Sequence, residues 1–140
     1  NTEGMGAYRG RIVASTSLGM KFWCEVKAKG KVSLVKASNR YDGLVNLKIV
    51  ETFACDYGET LDLYPAFIAC KDLGIDWYFP SLNEIRWIIL HKEELNLEMG
   101  SLSYGSSTEI SVKDNGGVTN SGADSPFDKT MMNVWPVRAY

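Results

Sequence analysis

The chain has 140 residues, 45% of them hydrophobic and 11% aromatic, with a formal net charge of −2. That size and apolar share suit one ordinary domain, residues 1–140, with one buried core. No stretch reaches the roughly 18 consecutive apolar residues that a membrane helix needs, and the near-neutral charge gives no global reason to expect a nucleic-acid partner.

The opening "NTEGMGAYRG" has the pattern of neither a signal peptide nor a transit peptide. A strand is expected over "YRGRIVA" (8–14). "KFWCEVK" (21–27) alternates, with Phe22, Cys24 and Val26 on one face and Lys21, Trp23, Glu25 and Lys27 on the other. "KVSLVKA" (31–37) is a third strand candidate, and "SNRYDG" follows as a turn. Asp42 is placed to cap a helix over 43–54, with Leu44, Leu47, Val50 (or Ile49) and Phe53 at helical spacing. A second helix is expected over 62–73, with Asp62 as its cap, Pro65 in the first turn and Gly74 as its stop.

Trp77–Phe79 is strand-like, and Pro80 biases Phe79 to an extended conformation. Ser81 followed by Glu84 forms a capping box, so a helix over 81–94 starts directly from the strand, without a linker. Residues 100–130 are rich in Gly, Ser, Thr, Asn and Asp, and they read as a long displayed polar loop. "MNVWPVRAY" then closes the chain as a strand. The fold class is therefore α+β: a small twisted antiparallel sheet, two to three helices and a long polar loop region.

Charge is uneven along the chain. Residues 1–50 hold nine Lys/Arg against three Asp/Glu, and residues 51–140 hold six against fourteen. This reads as a basic and an acidic solvated face, or as one end shaped for a charged partner. The three cysteines, Cys24, Cys55 and Cys70, form no C-x-x-C pair, and His91 is the only histidine. A zinc site is therefore not expected. One disulfide or three buried thiols both fit the spacing.

Five segments occur in order: "GRIVAS", "YDGLVNLKIVE", "YPAFIACKDLGIDWYFPSLNEI", "YGSSTE" and "VWPVRAY". Together they resemble bacterial secreted domains with a C-type-lectin-like fold. Those domains carry W-Y-L-P-S-x-x-E-L, then S-S-T-E, then V-R-x-V/Y. Members of that group occur as cell-surface lipoproteins, as adhesin or pilus-tip domains, and as variable proteins of diversity-generating retroelements. The resemblance implies a secreted or cell-surface binding module whose ligand is a protein or a glycan. It also implies that Trp77–Glu84 is scaffold. The E-P-N, Q-P-D and W-N-D signatures of calcium-dependent lectins are absent, so calcium-dependent sugar binding is not expected. The scattered aspartates also fit no EF-hand spacing.

Candidate ligand-binding residues are Tyr104, Asp114, Asn115, Asn120, Asp124, Asp128, Lys129 and Trp135. Short polar side chains beside glycines suit hydrogen bonding to hydroxyl or peptide groups, and Trp135 is suited to stacking on a sugar ring, contacting a protein, or packing in the core. Ser106–Glu109 reads either as a ligand-contacting strand or as a frame whose hydroxyls and carboxylate bond to backbone and to Arg138. Trp87 lies off the main helical stripe and is expected to pack under a loop. His91 has no nucleophile elbow near it in the sequence and reads as a surface histidine near a helix C-terminus. No catalytic set, metal or cofactor is expected. The competing readings are a structural pilus or stalk subunit, or a degenerate enzyme of the formylglycine-generating-enzyme-like fold.

Overall fold

The computed structural model describes residues 11–24, 35–58, 60–111, 114–127, 129 and 131–139. It is a mixed α/β structure with two sheets. The elements are β1 (Arg11–Val13), β2 (Gly19–Phe22), α1 (Gly43–Asp56), a 3-10 turn (Leu61–Leu63) and α2 (Pro65–Lys71). They continue with β3 (Trp77–Tyr78), α3 (Leu82–Leu90), β4 (Tyr104–Glu109), β5 (Asn115–Val118), β6 (Met131–Val134) and β7 (Val137–Ala139). The first sheet has the order β1-β7-β3 and is antiparallel. The second has the order β2-β6-β4-β5, with β4 and β6 parallel and the other pairs antiparallel.

Two of the local helix signals hold, the caps at Asp42 and Ser81. Asp42 caps α1 through its side chain, which accepts from the Leu44 N–H at 3.0 Å. The capping box at Ser81 is complete: Glu84 N–H donates to Ser81 Oγ at 3.3 Å, and Ser81 N–H donates to Glu84 Oε1 at 3.0 Å. Only Phe79, Pro80 and the Ser81 cap separate β3 from α3. Asp62 does not cap α2. Residues Leu61–Leu63 form a separate 3-10 turn, and Pro65 opens the helix from Tyr64, which is held at φ −125° and ψ 71°. A proline disfavours helical geometry in the residue before it, so the helix restarts at the proline. α3 stops at Leu90, with His91 as its C-cap, rather than running to residue 94.

Three expectations for the strands are corrected. β2 ends at Phe22, and the chain bends at Trp23 and Cys24. This turns both the Trp23 indole and Cys24 into the core and leaves Phe22 partly exposed, so the alternation read over 21–27 does not hold. Residues 25–34 lie outside the described residues, and Val35–Ala37 is not a strand. Finally, the stretch 100–130 is not a polar loop. It contains β4 and β5, both buried along their whole length.

Small residues make that burial work. A Cβ on Gly105 would lie 2.1 Å from Met132 Sδ, and one on Gly117 would lie 2.4 Å from the Ser125 carbonyl oxygen, so glycine lets the strands and their cover approach closely. The hydroxyls of β4 are satisfied inside the fold. Ser106 Oγ donates to the Gly116 carbonyl at 2.9 Å, and Thr108 Oγ1 donates to the Asn39 carbonyl at 2.9 Å while accepting from Leu82 N–H at 2.9 Å. Asn46, fully buried on α1, donates to Ser107 Oγ at 2.9 Å and clamps the helix onto β4. Around this frame the rings of Trp23, Tyr64, Phe67 and Phe79 pack edge to face, with Trp23–Phe67 and Phe67–Phe79 centroids 5.1 and 5.2 Å apart.

Candidate functional site

The two sheets share one long antiparallel ribbon, interrupted in the middle. β1 pairs with β7 up to Val13↔Val137, and β2 pairs with β6 from Gly19↔Val134. Between those registers, residues 14–18 run opposite only Trp135 and Pro136. The surplus backbone bulges outward as Ser15-Thr16-Ser17. The break is stapled at both sides: Ala14 N–H donates to the Pro136 carbonyl at 3.2 Å, Leu18 N–H to the Val134 carbonyl at 2.9 Å, and Trp135 Nε1 to the Ala14 carbonyl at 2.8 Å.

The bulge forms one wall of an open groove of about 500 Å³. The facing wall is the segment from Asn96 to Leu102, which turns through left-handed conformations at Asn96 (φ 55°) and Gly100 (φ 62°). The back is Met99, Tyr104 and Trp135. The Tyr104 and Trp135 rings meet edge to face at 5.8 Å, and Tyr104 Oη donates to the Met99 carbonyl at 2.9 Å. Burial pushes the Tyr104 phenol up from its ordinary value, so it remains a protonated donor. Only 2% of Tyr104 and 1% of Trp135 is exposed. They form a rigid backing rather than a stacking platform, and their polar atoms are already used.

The rim supplies the free polar chemistry. Ser15, Thr16, Asn96 and Glu98 are exposed. Leu102, half exposed, adds an apolar edge. Hydroxyls, a carboxamide, one carboxylate and apolar carbon are the components of a recognition surface. Among the described groove residues there is no histidine or cysteine to act as base or nucleophile.

The remaining sequence candidates divide into three groups. Asn115 and Lys129 are interior, which corrects their reading as ligand contacts. Asn115 Nδ2 donates to the Ser106 and Gly116 carbonyls at 3.1 and 3.0 Å. Lys129 Nζ lies 2.6 Å from Glu109 Oε2 and 4.5 Å from the centre of the Trp23 ring. Asn120 and Asp124 are exposed at the tip of the hairpin that follows β5, and this tip leans on α3. There Arg86 pairs with Asp124 and donates to the Gly122 carbonyl at 3.1 Å, while Lys92 Nζ donates to the Asn120 carbonyl at 3.0 Å. Asp114 is half-buried in the β4–β5 turn, where its carbonyl accepts from Ile110 and Ser111, and Asp128 lies outside the described residues. The structure thus brings Tyr104 and Trp135 together at the groove and Asn120 and Asp124 together at the hairpin tip. The groove walls were missed; the one signal for them is the "STS" between two strand candidates.

A smaller cavity of about 180 Å³ lies between α3 and the first sheet, walled by Val13, Trp87, Ile88, Leu95, Leu97 and Val137, with Arg11 and Glu84 at one end. Glu84 is an anchor there. Its Oε1 accepts from Gly43 N–H at 2.7 Å and from Ser81 N–H at 3.0 Å, and its Oε2 accepts from Tyr78 Oη at 2.5 Å and from Arg11 Nε at 3.3 Å. Burial, then the neighbouring Glu84 charge, pushes the Tyr78 phenol far up, so it stays an O–H donor. Burial works against the Arg11 charge, but Tyr78, Glu84 and Asp42 outweigh it and hold the guanidinium above its ordinary value.

The histidine and the cysteines do not line the groove. His91 stacks on Trp87 at 4.3 Å, and its Nδ1 lies 2.8 Å from the Trp87 carbonyl. Cys24 and Cys70 are buried, and Cys55 is an exposed free thiol. Burial pushes the Cys70 thiol far up. With an aromatic disulfide reagent at neutral pH, Cys55 is expected to react within minutes in the native protein, and Cys24 and Cys70 only after denaturant is added. Rapid native reaction of Cys70 would contradict this placement.

Among the described residues, no group of His, Cys, Asp and Glu is arranged to hold a metal ion, and no helix is long and apolar enough to cross a membrane. In comparison with known proteins, the chain matches no family model and no curated sequence.

Proposed function

We propose that this chain is a non-catalytic recognition module with a C-type-lectin-like fold, secreted or displayed at a bacterial surface, that takes a protein or glycan ligand in the groove between residues 15–17 and 96–102. The observation that carries this reading is the groove of about 500 Å³ at the ribbon break. It has an aromatic backing already immobilised by its own hydrogen bonds and a rim of exposed polar side chains. Binding then orders few protein groups, which keeps the entropic cost of recognition low. The three helices and the antiparallel β1-β7-β3 sheet agree with the fold the sequence resembles. The non-catalytic character is supported by the use of the buried ionisable groups Glu84, Glu109 and Lys129 as structural anchors.

The test is a glycan and peptide array, followed by titration of the best binder against groove and hairpin variants. Thr16→Trp, which fills the groove, and Leu102→Asp, which charges its apolar edge, are expected to weaken binding about tenfold or more with the circular dichroism spectrum unchanged. Asp124→Ala, at the hairpin tip, is expected to change it less than about twofold. Loss of binding in Asp124→Ala with both groove variants intact would move the contact surface to the hairpin and overturn the groove assignment.

A further inference from the structure

The helix α1 has a second apolar face. Its first, Leu47, Val50 and Ala54, is buried in the core. The second runs along Val45, Ile49 and Phe53, four residues apart, and continues to Tyr57 at the C-cap, whose ring lies 4.7 Å from Phe53. Val45 is 38% exposed and Tyr57 is 68% exposed, with Ile49 and Phe53 half-buried between them. A groove of about 420 Å³ follows this ridge. A helix that is apolar on two sides normally has something against both.

The charges on this face identify the occupant. α1 carries three charged side chains: Lys48, Glu51 and Asp56. Glu51 is paired with Lys71 of α2. Lys48 and Asp56 line the groove, are exposed, and form no ion pair among the described residues. They lie four residues either side of Thr52, which also lines the groove and is small enough for close approach. We infer that the outer face of α1 pairs antiparallel with the same face of a second copy of this chain, about a two-fold axis at Thr52.

The symmetry works only in that direction. A two-fold interface sets residue i against j and j against i. With the helices antiparallel and centred on Thr52, Lys48 of each copy meets Asp56 of the other, giving two ion pairs at the rim. A parallel pair would instead set Lys48 against Lys48 and Asp56 against Asp56, with the helix dipoles aligned and opposing association. The antiparallel pair also covers the Val45–Ile49–Phe53 ridge with an identical ridge, at the interaxial spacing of packed helices. One helix face is a small interface, so the dimer is a reversible one, with a dissociation constant of the order of micromolar to about 100 μM.

The test is sedimentation of the full chain over roughly 1–500 μM, with four sets of variants. The unaltered chain is expected to show a concentration-dependent monomer–dimer equilibrium. Lys48→Glu and Asp56→Lys, each placing like charges together, are expected to raise the dissociation constant about fivefold or more, and the double exchange K48E/D56K to return it to within about twofold of the original. On a Cys55→Ser background, Thr52→Cys is expected to form an intermolecular disulfide on air oxidation. Lys48→Cys, set about 12 Å from its own copy, is expected not to. Both positions are on the surface, so folding is retained and is checked by circular dichroism. A chain that is monomeric throughout the range overturns the inference. So does a dimer indifferent to the charge reversals, a double exchange that fails to restore it, or a face that binds an amphipathic peptide while the chain stays monomeric.

Discussion

Replacing Glu84 by alanine is expected to cost about 3–5 kcal/mol of folding stability, the range for stripping one partner from a buried ionic cluster. The carboxylate accepts from four donors on four separate segments: Arg11 on β1, Gly43 at the start of α1, Tyr78 on β3 and Ser81 at the α3 cap. Alanine leaves the two backbone N–H groups and the Tyr78 hydroxyl without this acceptor in the interior, and Arg11 loses its buried counter-charge. Glu84→Gln keeps the volume but replaces one acceptor oxygen with a donor that faces other donors, so about 2–3 kcal/mol is expected. A domain of this size is stable by only about 5–15 kcal/mol, so urea unfolding monitored by circular dichroism reads both effects directly. A midpoint shift in Glu84→Ala no larger than that of an exposed helix substitution would show that the anchor is dispensable.

Lys129→Met is expected to have an effect of similar size, about 3–5 kcal/mol. Lys129 and Glu109 form an ion pair at 2.6 Å with 0% and 1% of their side chains exposed. Glu109 also accepts from Val35 N–H at 2.8 Å and from Lys36 N–H at 2.5 Å, which fixes residues 35–36 against the end of β4. Removing the ammonium leaves a buried carboxylate held by backbone donors alone and takes the cation off the face of Trp23, a contact that supplies part of the stabilisation. Adding Glu109→Met to Lys129→Met removes the stranded charge but also the acceptor for Val35 and Lys36, so only part of the loss is expected to return. Urea titration of the single and double variants, followed by circular dichroism, measures the coupling. A double variant as stable as the original would assign the pair no net role.

The features legible in the sequence were those set by neighbouring residues. The Asp42 cap and the Ser81–Glu84 box each depend on atoms within a few positions of one another. β4 and β5 were not legible, because their Gly, Ser, Thr and Asn residues are buried by partners far along the chain. Ser107 meets Asn46 across 61 residues, and Glu109 meets Val35 across 74. No local period distinguishes a hydroxyl satisfied in that way from one meant for water. The same distance hid most of the groove. Tyr104 and Trp135 stood out as bulky residues beside a polar stretch, but the wall that makes them a backing comes from Ser15–Ser17, where Trp135 reaches Ala14 across 121 residues. Lys129 was misread because a lysine among Asp, Gly and Ser looks solvated until Glu109 and Trp23 are seen around it.

Trp135 and Pro136 carry the backbone from one sheet to the next in two residues, while the indole N–H grips the opposing strand. The mouth beside them is therefore pinned: spreading it requires the indole to release Ala14. On the recognition role proposed above, such an opening would sort its guests by shape at first encounter, with little capacity to remould around a poor fit.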